Sequence, residues 1–274
     1  MTIGEVLRRS TQHLEAKGSS TPRLDAELLL GRALGLTRIE LYMQIDRPLT
    51  TAELAAAREL VARRARREPL QYVLGEWGFR RLTLTVDARA LIPRPETEIL
   101  VERALALIHD CEAPRVLDVG TGTGAVALAI ADEHQGAHVT AMDVSDDALG
   151  LAAENARRTG LTVELVHHDL FLGLPGGPWE LVVSNPPYVD LADLSGLEPE
   201  VRDWEPHLAL AAEGAVEALV RGAQPVLSPG GWLVVEVGDG QAAAVAASLE
   251  ELGYAEVAVT PDLAGRPRVV EGRA

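Results

Sequence analysis

The sequence predicts an α/β fold, in which a mostly parallel sheet carries helices on its faces, with a small helical domain in front of it. From residue 115 onward, short apolar runs alternate with helical patterns, as is typical of parallel strands joined by crossover helices. A glycine-rich loop follows the first apolar run, and the first 72 residues lack strand-like alternation. The last two runs are too close for an intervening helix, which predicts an antiparallel pair. The predicted strands are residues 115–119, 137–142, 162–167, 180–184, 231–237, 254–260 and 268–271.

Helical patterns fill residues 1–72, which we predict to be an N-terminal helical domain for substrate recognition. Pro22 suits the first turn of a helix, Gly18 and Gly35 suit helix ends, and Thr50 or Thr51 can cap a helix. The predicted helices are residues 3–16, 22–34, a short one near Ile39, and 51–67.

Alternation replaces the helical pattern in residues 73–92, where Leu82 and Leu84 stand two positions apart. This pattern predicts a β-hairpin that links the helical domain to the α/β domain of residues 93–274. Two prolines then stiffen the entry to a helix predicted over residues 97–109.

A strand, a glycine loop and a helix follow one another at residues 115–133. Glycines allow the backbone to approach a ligand closely, and a helix N-terminus favours a carboxylate or a phosphate. This order predicts a Rossmann-like nucleotide-binding start. The loop has the spacing Gly-x-Gly-x-Gly, which differs from the dinucleotide fingerprint and from the phosphate loop of nucleotide triphosphatases. Its residues are Gly120, Thr121, Gly122, Thr123 and Gly124.

Asp143 ends the second predicted strand, roughly 20 residues beyond the glycines, where an acidic side chain can accept hydrogen bonds from both ribose hydroxyls. The alternative is an Asx turn that leads into a helix capped near Ser145. The chain has no phosphate-loop lysine, and the tetrapeptide Asn-Pro-Pro-Tyr follows the fourth predicted strand. The cofactor is therefore better interpreted as S-adenosylmethionine than as NAD.

The tetrapeptide Asn185-Pro186-Pro187-Tyr188 follows an apolar run and predicts methylation of a planar nitrogen. The lone pair of an amide or amino nitrogen is delocalised, and two acceptors on its N–H bonds would restore it. Consecutive prolines hold the chain extended without donating, so the Pro186 carbonyl can point into a pocket beside the Asn185 oxygen. Tyr188 offers a flat face to a planar substrate group. The alternative is a strand that ends in an ordinary proline turn.

On these motifs the chain resembles the HemK family of release factor glutamine methyltransferases, nearly end to end. Asn-Pro-Pro-Tyr is shared with DNA and RNA amino-methyltransferases, whereas residues 91–98 are far more specific to this family. Other matching stretches are residues 21–29, 68–75, 205–210 and 230–238.

The resemblance implies a class I S-adenosylmethionine-dependent methyltransferase with a seven-stranded sheet. It implies methyl transfer to the side-chain amide of the glutamine in the Gly-Gly-Gln motif of peptide chain release factors. Residues 120–124 and Asp143 would hold the cofactor, with Leu170 against its adenine ring. Asn185 would touch both cofactor and substrate, and residues 185–188 would form the glutamine pocket. The transfer would be direct and in line, without a general base beforehand.

The net charge of −16 is unevenly distributed. Residues 1–84 hold 14 Lys and Arg against 10 Asp and Glu, whereas the remainder holds 11 against 31. Phosphate contacts need clustered basic residues, so an acidic catalytic domain favours a basic protein partner over a nucleic-acid substrate. The alternatives are a DNA or RNA amino-methyltransferase and a cofactor-binding regulatory protein without chemistry. An intact Asn185–Tyr188 motif disfavours the second.

Two charged segments remain open to interpretation. The arginines at positions 63, 64, 66 and 67 are most simply a solvated helix face, with partner docking as the alternative. The acidic run 189–206 is either a lid over the site or a plain solvated loop.

Composition predicts a soluble, cytoplasmic enzyme. No run of 18 or more residues is apolar enough for a membrane span, and the first residues do not form a signal peptide. The single cysteine, Cys111, cannot form an internal disulfide, and the seven histidines show no metal-binding pattern.

Overall fold

The computed structural model describes all 274 residues. It divides into two compact units, of which unit 1 comprises residues 1–76 together with 198–204. Unit 2 comprises residues 77–197 and 205–274. None of the helices combines the length and the apolar character needed to cross a bilayer.

Unit 1 is a cluster of helices around a core that includes Ile3, Leu14, Leu29 and Leu30, all fully buried. Threonines begin three of the helices in capping boxes, in which a glutamate three residues later bonds back to the threonine N–H. The helices are α1 (Ile3–Ala16), α2 (Pro22–Leu34), α3 (Arg38–Met43), α4 (Thr51–Arg64) and α5 (Leu70–Leu74).

Helix α4 ends at Arg64, three residues before the predicted end, and the short helix α5 was not predicted. The chain turns after Arg64, and Arg67 adopts a left-handed φ of 67° that no helix accommodates. The residues after Arg64 are good helix formers, so helix propensity alone does not predict that α4 ends there.

Arg63, Arg64 and Arg67 form ion pairs, so the interpretation of the four arginines as a solvated face is wrong for these three. Arg66 is exposed, as that interpretation expects. Arg64 is only 5% exposed and contacts Asp25 (2.7 Å) and Glu200 (2.8 Å). Arg67 also contacts Glu200, at 2.5 Å, and Arg63 pairs with Glu68. The interpretation of the acidic run as a plain solvated loop likewise fails at Glu200, which lies within unit 1.

Unit 2 contains a seven-stranded sheet, as predicted, and all seven strands overlap the predicted ranges. Its strands are β3 (Arg115–Val119), β4 (His138–Asp143), β5 (Glu164–His167), β6 (Trp179–Ser184), β7 (Leu227–Glu236), β8 (Ala255–Pro261) and β9 (Pro267–Arg273). The order is β5-β4-β3-β6-β7-β9-β8, and only β9 runs antiparallel to its two neighbours. The α/β prediction and the antiparallel final pair are confirmed. β7 begins four residues earlier than predicted because a bulge carries it through a Pro-Gly-Gly stretch.

Helices flank this sheet, and a two-stranded hairpin precedes it, as predicted. The hairpin is β1 (Glu76–Phe79) with β2 (Leu82–Thr85). The longer helices are α6 (Thr97–Ile108), α7 (Ala125–Glu133), α8 (Asp146–Thr159), α11 (Ala215–Ala223) and α12 (Ala242–Glu251), and the short ones are α9 (Pro199–Arg202) and α10 (His207–Leu210).

The centre of the sheet determines where a ligand can bind. β3 is the first strand of the sheet in the sequence, and its two neighbours, β4 and β6, continue the chain in opposite directions across the sheet. Ligands of open α/β sheets bind at such a reversal, beyond the carboxyl ends of the strands. The three strands are anchored there by fully buried side chains such as Leu117, Ala141 and Val182.

Candidate functional site

The glycine loop leaves the carboxyl end of β3 with a backbone that only glycine adopts easily. Gly120, Gly122 and Gly124 have φ values of 73°, 55° and 81°. A Cβ atom at Gly124 would lie 3.2 Å from both Ala152 and Leu128, so this glycine also lets α7 pack closely. Most of the loop N–H groups donate within the protein: those of Gly120 and Thr121 to the Met142 carbonyl, and that of Gly124 to the Thr121 carbonyl. The Gly122 N–H donates to Asp143, so only the Thr123 N–H remains without a protein partner.

A buried carboxyl group supports the loop from below. Asp118 is 1% exposed, and Oδ2 accepts a hydrogen bond from the Thr121 hydroxyl at 2.7 Å. Burial raises the pKa of Asp118 to about 7, and the nearby Asp143 charge acts in the same direction. The Thr121 bond partly opposes this rise.

Asp143 ends β4 and braces the loop from the side. Its Oδ2 accepts from the Gly122 N–H and its Oδ1 accepts from the Ser145 N–H, both at 2.9 Å. The Asx turn considered as an alternative is therefore present, and Ser145 caps α8 as predicted. A carboxylate has about four acceptor positions, so these two bonds leave Asp143 able to accept from ribose hydroxyls as well.

One cavity contains most of the predicted cofactor residues. Gly120 to Thr123, Asp143, Leu170 and Asn185 all line it, whereas Gly124 does not. Its remaining wall is largely apolar and includes Ala90, Val144 and Phe171. The Thr123 N–H, the Asp143 carboxylate and the apolar wall match the carboxylate, ribose and adenine of S-adenosylmethionine, so the residues present fit this cofactor.

Asn185 follows the end of β6 and lines the same cavity. Ser184, just before it, donates to the Val119 carbonyl at 2.7 Å and ties the ends of β6 and β3 together. The Asn185 carboxamide donates through Nδ2 to the Thr97 Oγ1 atom at 3.2 Å. Because the carboxamide is planar, this bond turns Oδ1 away from Thr97.

The other residues of the tetrapeptide divide between two surfaces. Pro186 and Pro187 line the cavity with Asn185, whereas Tyr188 lines a neighbouring groove. Gln241 donates to the Tyr188 carbonyl at 3.0 Å, and a Cβ atom at Gly238 would lie 2.9 Å from the Tyr188 ring. The Tyr188 ring thus packs on Gly238, and its contact with a substrate stays a prediction.

A partly buried ion pair lies beside another part of the cavity wall. Arg94 donates to Glu205 Oε1 at 2.6 Å, and the Ile92 N–H donates to Oε2 at 3.3 Å. Burial raises the pKa of Glu205, and the Arg94 charge opposes this rise. Both residues lie in stretches that the family resemblance marked, but the sequence alone indicated no role for them.

Sequence reasoning missed two further residues, Thr97 and Glu236. Glu236 ends β7 and is 1% exposed, and the nearby Thr97 hydroxyl lowers its pKa against the rise that burial causes. Its Oε2 atom is buried without a hydrogen-bond partner. The available signal was a charged residue at the carboxyl end of the apolar run Leu233-Val234-Val235.

Comparisons with known proteins agree with this geometry. The family described as the PrmC N-terminal domain matches residues 5–75, and the Methyltransferase small domain matches residues 96–196. The chain is 44% identical over 278 residues to the release factor glutamine methyltransferase of Geobacter sulfurreducens, covering 99% of this chain and 96% of that protein. It is also 44% identical over 277 residues to the protein of the same name from Deinococcus radiodurans, covering 100% and 99%.

A solved structure supports the fold alone. The methyltransferase of Pyrococcus furiosus superposes with a TM-score of 0.51 at 18% identity, over 69% of this chain and 87% of that one.

Proposed function

Since the chain belongs to the release factor glutamine methyltransferases, a family of protein-glutamine N-methyltransferases, we propose that it methylates the glutamine of the Gly-Gly-Gln motif in peptide chain release factors. S-adenosylmethionine is the proposed methyl donor. One observation carries the proposal: Asn185 lines the same cavity as the glycine loop and Asp143, with its carboxamide held by Thr97. A methyl acceptor bound at Asn185 would therefore lie beside the cofactor.

The cofactor would supply a methyl group on a positively charged sulfur. Residues 120–123 would line the position of its amino-acid part, with the Thr123 N–H available to donate to the carboxylate. Asp143 would accept from the ribose hydroxyls, and Leu170 would pack against the adenine. Leu170 is aliphatic, so it contributes apolar contact without aromatic stacking.

The substrate amide needs two acceptors to become nucleophilic. Asn185 Oδ1 and the Pro186 carbonyl would each accept one of its N–H bonds, which localises the nitrogen lone pair. Holding the nitrogen about 3 to 3.5 Å from the methyl carbon supplies several kcal/mol of the rate enhancement. The nitrogen–methyl bond would form as the methyl–sulfur bond breaks, which leaves neutral S-adenosylhomocysteine, and the nitrogen would release one proton to solvent.

The charge distribution supports a protein substrate over a nucleic acid. Residues 85–274 hold 31 acidic against 11 basic side chains, so a phosphate backbone would be repelled. We assign recognition of the release factor to the helical domain of residues 1–72.

Mass spectrometry of a methylation reaction tests the proposal. The protein, S-adenosylmethionine and a purified release factor are incubated, and tryptic peptides are mapped for the gain of one methyl mass. We expect the gain on the Gly-Gly-Gln glutamine and none on a matched release factor with Gly-Gly-Glu. Methylated tRNA, rRNA or DNA alongside an unmodified release factor would instead support an amino-methyltransferase of nucleic acids.

A further inference from the structure

We propose that Thr97 and Glu236 are positioning residues of the methyl-acceptor site, which together fix the orientation of the Asn185 carboxamide. This inference rests on the proposed function, because it concerns the side of Asn185 that would meet the substrate amide. Neither residue touches the reacting atoms; both would act through Asn185.

The sheet brings these residues together. β6 and β7 are parallel neighbours in which Ser184 pairs with Val235, so Asn185 and Glu236 are the next residues along adjacent strands. Thr97 is the first residue of α6 and is only 4% exposed. Asn185 Nδ2 donates to Thr97 Oγ1 at 3.2 Å, and the Thr97 hydroxyl is close enough to the Glu236 carboxylate to lower its pKa, as a donor does.

The chemistry of this chain of bonds gives it a direction. An ionised carboxylate only accepts hydrogen bonds, and a threonine hydroxyl has a single proton to donate. Once that proton points to Glu236, the Thr97 oxygen can only accept, and Asn185 must present its NH₂ group. A reversed carboxamide would set two acceptors against each other in a buried site. The carboxylate thus determines that Asn185 Oδ1 faces away from Thr97.

The direction depends on the charge of Glu236. Burial raises the pKa of Glu236 to about 7, while the Thr97 bond and the charges of Arg268 and Arg94 oppose the rise and Glu96 adds to it. Tyr188 also faces this carboxyl group. A protonated Glu236 can itself donate to Thr97, which then no longer has to donate in return. We therefore expect kcat to increase as the pH rises through the pKa of Glu236.

Steady-state kinetics with a release factor test the role of Thr97. We expect Thr97→Val to lower kcat at least about tenfold while the dissociation constant of S-adenosylmethionine changes little. Thr97→Ser retains the hydroxyl and should restore most of the activity. A purely structural role would lower cofactor affinity and thermal stability together with kcat, and would not require a hydroxyl group.

The pH profile tests the role of Glu236. Glu236→Gln keeps an acceptor oxygen but cannot ionise, so the rise of kcat near neutral pH should disappear.

The outcomes separate this inference from the proposed function. Wild-type kcat in Thr97→Val, or an unchanged ascending limb in Glu236→Gln, would overturn only the inference. A wild-type protein that methylates no release factor would overturn both.

Discussion

Two buried carboxyl groups, one in each unit, have opposite pKa shifts. Glu27 in unit 1 and Glu236 in unit 2 are each 1% exposed. Burial raises the pKa of Glu27, but hydrogen bonds from Tyr42, Arg38 and Arg23 outweigh burial, and its pKa lies below the ordinary value. Glu236 has no ion pair at contact distance, so burial prevails and its pKa lies near 7.

This difference separates carboxyl groups that are paired with arginines from carboxyl groups whose charge can change near neutral pH. In unit 1, Glu27, Asp25 and Glu200 all have arginine partners. Hydrogen bonds from arginines help to hold the pKa values of Glu27 and Glu200 below the ordinary value. In unit 2, Asp118 and Glu236 lie at the ends of central strands without such partners and titrate near neutrality. Strongly perturbed carboxyl groups of this second kind are typical of functional sites.

The largest expected effect is on chemistry in unit 2. Asn185→Ala removes a proposed acceptor of the substrate amide and should lower turnover by about two to three orders of magnitude. Cofactor affinity, measured by calorimetry, should change only modestly because the glycine loop and Asp143 are intact. Wild-type turnover in this variant would refute the proposed mechanism.

In unit 1, the removal of a buried ion-pair partner should lower the stability of the fold rather than the rate of the reaction. Asp25→Ala leaves the buried Arg64 with one carboxylate fewer and should lower the free energy of unfolding by about 3 kcal/mol. Urea denaturation measures the effect. The matched control is Glu198→Ala: Glu198 also pairs with an arginine, but its side chain is 78% exposed, and we expect a change within about 0.5 kcal/mol. Equal effects would contradict the distinction.

Two isosteric substitutions test the comparison directly. The pKa of Glu236 is higher in the folded protein than in the unfolded protein. The stability of the wild type therefore decreases as the pH rises from the unfolded pKa to the folded pKa. Glu236→Gln lacks this decrease and should be more stable by about 1–3 kcal/mol at about pH 8. Glu27 has the reverse shift: its contribution is present above its unfolded pKa and is lost as the pH falls through its folded pKa. Glu27→Gln should therefore be less stable at about pH 8.

Urea denaturation at about pH 5 and about pH 8 compares these two variants with the wild type. A change of the same sign for both would remove the contrast between the units.

The smallest expected effect concerns the apolar cavity wall. Leu170→Ala should weaken binding of S-adenosylmethionine about threefold to tenfold through lost apolar contact. Leu172→Ala is the matched control, because Leu172 is 80% exposed and is not among the cavity-lining residues. Calorimetric titration of both variants tests this. Equal affinities would remove Leu170 from the proposed adenine contact.

Features with a local cause could be predicted from the sequence. Apolar runs such as Leu181-Val182-Val183 predicted central strands because a parallel strand covered on both faces has no polar side. Pro22 and Ser145 predicted helix starts because capping involves neighbours within one turn.

Features with distant partners could not be predicted in this way. Glu200 pairs with Arg64, 136 residues away, and the sequence around the arginines contains no trace of it. Thr97 and Asn185 are 88 residues apart and meet only because α6 begins beside the end of β6. The sequence marked both stretches by resemblance, but the bond between them follows from the order of the strands.

Residues 198–204 have a consequence for the engineering of chimaeras. This short segment is separated from the rest of unit 1 by more than a hundred residues of chain, yet it supplies Glu200 to Arg64 and Arg67. A chimaera with a single junction after residue 76 would carry over the helices of unit 1 without residues 198–204. The buried Arg64 would then lack Glu200, one of its two carboxylate partners. An exchange of the helical unit between relatives therefore requires three junctions, after residue 76 and on either side of the seven-residue segment, so that this segment is transferred along with its helices.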